Sequence, residues 1–189
     1  MKQIVIFASG SGSNAENIIR FFQNHSNIKV VQVLTNNPRA KVIERCKRLN
    51  VNCMIFDRTA FNVSFEILHE LENLNPDLIV LAGFLWKIPE SYIESFPNKI
   101  INVHPALLPK YGGKGMYGKH VHQAVIENEE KESGITIHYV NENYDEGAII
   151  FLSKCEVDAL DTPESLSKKI NTLEMKHFPE VINSILTDE

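Results

Sequence analysis

The chain has little with which to cross-link itself or enter a membrane. Its three cysteines, Cys46, Cys53 and Cys155, form no C-x-x-C pair and leave one over. That argues against a disulfide framework and fits reduced thiols acting as small buried hydrophobes in a cytoplasmic protein. No apolar run approaches the length of a bilayer span, and residues 4–8 are too short for the apolar core of a secretion signal. Positive charge is not in excess: 19 Lys and Arg against 24 Asp and Glu leave a net charge of -5. General attraction to nucleic acid or anionic lipid is therefore not expected. Repeats, low-complexity tracts and long linkers are also missing, and 189 residues suffice for one well-buried core, so a single domain over 1–189 is expected.

What is present alternates between strand and helix. Residues 3–8 are a continuous apolar run, as in a parallel strand covered on both faces, and a helix over about 14–22 follows. Ser13 and Glu16 at the junction have capping-box spacing. The turn before them, Gly10-Ser11-Gly12, allows exposed backbone N–H groups at a helix start, a place that attracts phosphate; it equally suits plain packing of helix on strand. Gly10-x-Gly12-x-x-Ala15 also matches the dinucleotide fingerprint, but the strand at 29–34 ends in Thr35-Asn36-Asn37-Pro38, without the acid that would hold a ribose hydroxyl. A phosphomonoester therefore ranks ahead of NAD. Helices over 41–49 and 64–74 and strands over 53–56 and 78–82 continue the βαβ alternation of a doubly wound sheet.

Residues 100–105, Ile-Ile-Asn-Val-His-Pro, form the stretch richest in chemistry. Asn102 and His104 are two apart and so share a strand face, and Pro105 ends the strand. At the carboxyl end of a central parallel strand they would open into the ligand crevice. An imidazole that moves protons beside an amide that donates to a developing oxyanion suits acyl transfer, although such residues also satisfy loop backbone.

The loop at 83–89 carries the lone tryptophan, Trp86, which either receives a flat apolar ligand or fills the core beneath it. Glycines over 112–118 suggest a mobile loop. His120 and His122 begin a helix reaching about 128, and their spacing does not converge on a metal, so zinc is not expected. Strands over 133–140 and 148–155 suit an antiparallel pair joined by a turn carrying Asp145, where a carboxylate alone indicates no more than a solvated side chain. Thr162 as N-cap and Pro163 at the first helical position announce a last helix to about 186.

Several segments together resemble the phosphoribosylglycinamide formyltransferase family, folate-dependent enzymes of purine synthesis. They are Gly10-Ser11-Gly12-Ser13-Asn14, Leu81-Ala82-Gly83-Phe84, Asn102 to Tyr111, Gly134 to His138, and Tyr144-Asp145-Glu146-Gly147. The resemblance implies an α/β formyltransferase fold: a mostly parallel doubly wound sheet with an antiparallel C-terminal strand pair and flanking helices. It implies formyl transfer from 10-formyltetrahydrofolate, a co-substrate, to the amino group of glycinamide ribonucleotide, without a metal. Asn102, His104 and Asp145 would be catalytic; Gly12, Ser13 and Asn14 would hold the substrate phosphate and Glu174 its glycinamide part. Leu85, Trp86, Lys87 and Ile88, with Asn102, would line the folate site, and Arg58 is the candidate for an arginine touching folate. Where many members have Met-Arg-Ile-Leu this chain has Leu85-Trp86-Lys87-Ile88, and its glycine loop looks longer. Small-molecule partners alone, a monomer or weak homodimer, and a cytoplasmic setting are expected. Other folate formyltransferases and formyltetrahydrofolate hydrolase usually carry an extra domain for which this length leaves no room, and an idle folate- or nucleotide-binding module would not need all three catalytic positions filled.

Overall fold

In the computed structural model, which describes residues 1–187, seven strands form one sheet in the order β3-β2-β1-β4-β5-β6-β7. The strands are β1 (Lys2–Phe7), β2 (Ile28–Thr35), β3 (Asn52–Ile55), β4 (Leu78–Leu81), β5 (Ile100–His104), β6 (Glu132–Tyr139) and β7 (Ile149–Glu156). β3 through β5 run parallel, whereas β6 pairs antiparallel with β5 and β7 antiparallel with β6. The helices are α1 (Ser13–Phe22), α2 (Val42–Leu49), α3 (Arg58–Asn62), α4 (Glu66–Leu74), α5 (Glu90–Ser95), α6 (Lys119–Glu127) and α7 (Pro163–Thr187).

Each central strand is apolar throughout because both its faces are covered. Ile4, Ile6 and Ala8 of the first strand segment, with Leu78, Val80 and Ala82, pack into the core beneath α1, α2, α6 and α7. Their alternates Val5, Phe7, Ile79 and Leu81 join Phe61, Leu71 and Tyr92 of α3, α4 and α5 on the opposite face. β5 ends at His104, directly before Pro105, as the sequence predicts.

Local expectations fail where tertiary contacts intervene. Ser13 and Glu16 do not form a capping box: the N-cap is Gly12, at φ 71°, with no side-chain cap. Glu16 instead turns to Arg20, Arg45 and Arg48, whose guanidinium groups hold its carboxyl down at about 2. The last helix starts as expected, with Thr162 Oγ1 accepting the Ser165 N–H at 3.2 Å and Ser165 Oγ accepting the Thr162 N–H at 2.9 Å.

Candidate active site

Strand order reverses between β1 and β4, and at such a point the loops leaving two neighbouring strands diverge and open a crevice. A cleft of about 640 Å3 lies there. The turn Gly10–Asn14 after β1, the loop after β4, the carboxyl end of β5, the glycine loop, the turn after β6 and one side of α7 border it.

The first of these turns is braced from several sides. Gly12 leaves β1 in the left-handed region, and a Cβ there would lie 2.5 Å from Val42 Cβ, so close approach to α2 as well as conformation demands glycine. Arg45 Nε donates to the Ser11 carbonyl at 2.7 Å, and Asn37 Nδ2 donates to the Ser9 carbonyl at 3.2 Å. The position where a dinucleotide enzyme needs an acid is thus occupied by a brace for the glycine turn. Ser9 Oγ also accepts the Leu85 N–H at 3.1 Å, tying this turn to the loop after β4.

At the cleft's α7 side, Asn14 Nδ2 donates to Glu174 Oε2 at 2.8 Å, and Asn14 Oδ1 is buried without a partner. Burial pushes the Glu174 carboxyl up, opposed by that Asn14 hydrogen bond. In the loop after β4, Ile88 is buried, Leu85 is exposed, and Trp86 packs on Phe56, Phe61 and Phe84. Lys87 Nζ lies 5.8 Å from the Tyr144 ring centroid, across the cleft mouth. Arg58 is not among the residues that border the cleft; its guanidinium stacks 4.5 Å over the Trp86 ring, on the first turn of α3.

Asn102, His104 and Asp145 come together at the centre. His104 Nε2 donates to the Tyr111 carbonyl at 2.7 Å, so its Nδ1 carries the lone pair in the neutral ring and faces Asp145 Oδ2 at 3.6 Å. His138, which the sequence reading left without a role, sits directly opposite Asn102 across the antiparallel pair. Its Nδ1 donates to the Tyr139 carbonyl at 2.9 Å, which leaves Nε2 to accept from Asn102 Nδ2 at 3.2 Å. That bond fixes the amide's orientation and leaves its second N–H for the cleft. Asp145 Oδ1 is 3.6 Å from His138 Nε2, and Oδ2 accepts the Gly113 N–H at 2.9 Å, so the glycine loop is tethered to the carboxylate.

Burial is the largest influence on His104 and lowers its pKa; Asp145 and the Tyr111 carbonyl oppose it, His138 adds to it, and the net direction is down. A resting protonated His104 is therefore disfavoured, and the neutral ring is the form at hand. Burial pushes the Asp145 carboxyl up, yet the neighbouring His138 and His104 rings and the Gly113 N–H bring it net below the usual range. The cleft thus offers a neutral base, an ionised carboxylate behind it and a free amide N–H. Together these suit proton movement at a carbonyl that develops negative charge.

The formyl transferase family model matches residues 2–182. The chain is 38% identical to the chloroplastic phosphoribosylglycinamide formyltransferase of Arabidopsis thaliana over 97% of its own length, spanning 65% of that protein. It is 35% identical to the phosphoribosylglycinamide formyltransferase of Bacillus subtilis, with 98% of this chain and 95% of that one covered. The crystal structure of phosphoribosylglycinamide formyltransferase from Anaplasma phagocytophilum superposes with a TM-score of 0.90 at 29% identity, covering 99% of this chain and 88% of the other. A glycine turn and an Asn-x-His strand end meeting at the switch point of this sheet, and a match that runs along nearly the whole sequence, make the chain a member of the formyl transferase family.

Proposed function

We propose that the chain transfers the formyl group of 10-formyltetrahydrofolate to the amino group of 5'-phosphoribosylglycinamide, releasing formylglycinamide ribonucleotide and tetrahydrofolate, as an enzyme of purine biosynthesis. The observation that carries this reading is the meeting of Asn102, His104 and Asp145 with the glycine turn in one cleft, in a chain that shares its family and fold with phosphoribosylglycinamide formyltransferases. Ser13 and Asn14, following Gly12 at the start of α1, present helix N-terminal N–H groups suited to the phosphate. Glu174 and the unpaired Asn14 Oδ1 supply acceptors for the N–H groups of the glycinamide. Leu85, Trp86, Lys87 and Ile88 form the wall assigned to the folate, and Arg58 contributes there by holding Trp86 rather than by lining the cleft.

In the reaction the amine nitrogen bonds to the formyl carbon as its C=O pair moves onto oxygen, where the spare N–H of Asn102 receives the charge. His104 takes the amine proton on Nδ1, the nitrogen not committed to Tyr111. Asp145 stabilises the imidazolium so formed. The proton then passes to the folate nitrogen as its bond to the formyl carbon breaks, so the amine loses one proton and the leaving group gains one. No step calls for a metal. The wider reading is a single formyltransferase domain over 1–189, cytoplasmic, with small-molecule partners only, monomeric or weakly dimeric. Incubation with 10-formyltetrahydrofolate and glycinamide ribonucleotide should yield formylated ribonucleotide in step with tetrahydrofolate. Release of formate without ribonucleotide dependence would replace this reading with a hydrolase.

A further inference from the structure

Two non-glycine residues with left-handed backbone, Tyr111 at φ 56° and Asp145 at φ 58°, supply the groups that meet the two nitrogens of the His104 ring. Such backbone is costly for a residue with a side chain and persists only where the surroundings over-determine it. Around Asp145 those surroundings are the site itself, through the Gly113 N–H and the two histidine rings. Tyr111 is held from elsewhere. The glycine beside it serves another end: Gly112 lies outside the left-handed region, and a Cβ there would come within 2.6 Å of Leu108 Cδ2 and 3.3 Å of Asp145 Cβ, so it gives room for the carboxylate's approach.

The Tyr111 side chain reaches the carboxyl end of α6. Its hydroxyl donates to Glu130 Oε1 at 3.0 Å, and Lys110 Nζ donates to both oxygens of the same carboxylate, at 2.9 and 3.1 Å. Asn128, in the same turn, also bears on the phenol. Lys110 and then the Tyr111 hydroxyl hold the Glu130 carboxyl below the usual carboxylate range, so the phenol bonds an ionised acceptor, a stronger bond than a neutral one. Glu130 is itself fixed: its N–H bonds the Val125 carbonyl at 3.2 Å and the Glu129 N–H bonds the Ile126 carbonyl at 3.0 Å, closing the helix. Lys110 is exposed and its ion pair adds little, whereas Tyr111 packs against the core and is the firmer link. None of Lys110, Tyr111 and Glu130 borders the cleft.

We propose that Tyr111 and Glu130 are positioning residues of the transfer site: the phenol, anchored on the Glu130 carboxylate, holds the left-handed turn whose carbonyl keeps the proton of neutral His104 on Nε2 and the lone pair on Nδ1. The proposal rests on the formyl-transfer reading, in which that lone pair takes the amine proton. A glycine at 111 would adopt the same backbone without strain but would leave the carbonyl free to turn away. The tyrosine ties it to a helix end that no substrate touches.

The test compares Tyr111→Phe, Glu130→Ala, Glu130→Gln and the Tyr111→Phe/Glu130→Ala double variant, all checked for folding by circular dichroism. Tyr111→Phe and Glu130→Ala should each lower kcat about fivefold, as for the loss of one hydrogen bond, and the double variant should be no worse than the poorer single one. Glu130→Gln, whose carbonyl still accepts from the phenol, should stay within about twofold of wild type. Both KM values should hold in every variant, because no substrate contact is removed. The ring nitrogens of His104, assigned by their loss in His104→Ala, should resonate far apart in the unliganded wild type at neutral pH, as for one tautomer. They should draw together in Tyr111→Phe as the second tautomer enters. Unchanged kcat in Tyr111→Phe would overturn the proposal whatever the thermal midpoint does, and so would a raised KM at constant kcat. Wild-type turnover in the same assay tests formyl transfer separately. If turnover is absent, the resonances still decide, because nitrogens that stay apart in Tyr111→Phe rule out the assigned hold on His104.

Discussion

Asp145 meets His104 through the ring nitrogen that Tyr111 does not use: Oδ2 lies 3.6 Å from Nδ1, with the opposite ring nitrogen bonded at 2.7 Å to the Tyr111 carbonyl. In the proposed reaction the carboxylate acts by stabilising the imidazolium, and that part of its role disappears once the imidazole is gone. His104→Ala and Asp145→Asn should each lower kcat by about 10²-fold or more, and the double variant should be scarcely worse than the poorer single one. Multiplicative losses in the four-variant cycle would separate the two residues.

The same pair sets a pH dependence. Burial depresses the His104 pKa and Asp145 opposes that, so Asp145→Asn should carry the acid limb of kcat/KM to lower pH. For stability, a histidine with a depressed folded-state pKa binds more protons unfolded than folded. The contribution of neutral His104 is complete above its unfolded value, 6.5, and is lost as pH falls through the lower folded value. Urea midpoints at pH 7.5 and pH 5.5 should accordingly differ less in His104→Leu than in wild type.

Gly12→Ala should destabilise the fold by about 2 kcal/mol or more, from the positive φ and the overlap with Val42 together. Ser13→Asp, at a half-buried position without the φ and Val42 constraints of Gly12, is the cleaner probe of the phosphate assignment. A carboxylate on the first turn of α1 should weaken ribonucleotide binding in calorimetry and leave folate binding intact; equal losses would move the phosphate elsewhere.

Trp86 is the only tryptophan, so tryptophan emission, excited selectively over the tyrosines, reports on the loop assigned to the folate. A folate analogue should change the emission and glycinamide ribonucleotide should not. Arg58→Ala, which removes the cation stacked on the ring, should alter the unliganded spectrum and weaken folate binding only modestly. A larger effect of the ribonucleotide would reverse the assignment of the loop.

Glu16 gives an acid-stability signature. Its pKa of about 2 against an ordinary 4.5 means that its pairing with Arg45, Arg20 and Arg48 is at full strength above pH 4.5 and fades as pH falls through 2. Thermal midpoints of Glu16→Gln and wild type should converge between those values.

The parallel half of the sheet was legible because covered strands are uniformly apolar, and the Asn102/His104 pair because proline ends the strand that presents it. The helices α3 and α5 were missed for a physical reason. At five and six residues they are too short to show a period, and each is held by one buried anchor, Phe61 in α3 and Tyr92 in α5. The capping box failed because Glu16 found three arginines from two helices, an outcome no local pattern contains. His138 carried a faint signal: it alternates with Thr136 on a strand, but its meeting with Asn102 depends on which residues face each other across β5 and β6.

That pairing has a consequence for how the site can fail. Asn102 faces His138 and His104 faces Thr136, whose hydroxyl donates to the Ala106 carbonyl and accepts the Leu108 N–H, fixing the chain beyond β5. Sliding β6 by one residue would turn His138 and Thr136 to the other face at a stroke and bring Ile137 into their place. The amide would lose its orientation and the loop its anchor in the same event. Misalignment here does not grade activity; it removes the chemistry while leaving a sheet with nearly the same number of backbone hydrogen bonds. A variant that keeps its strand content but has lost turnover should therefore be examined first for the pairing frame of this one antiparallel ladder.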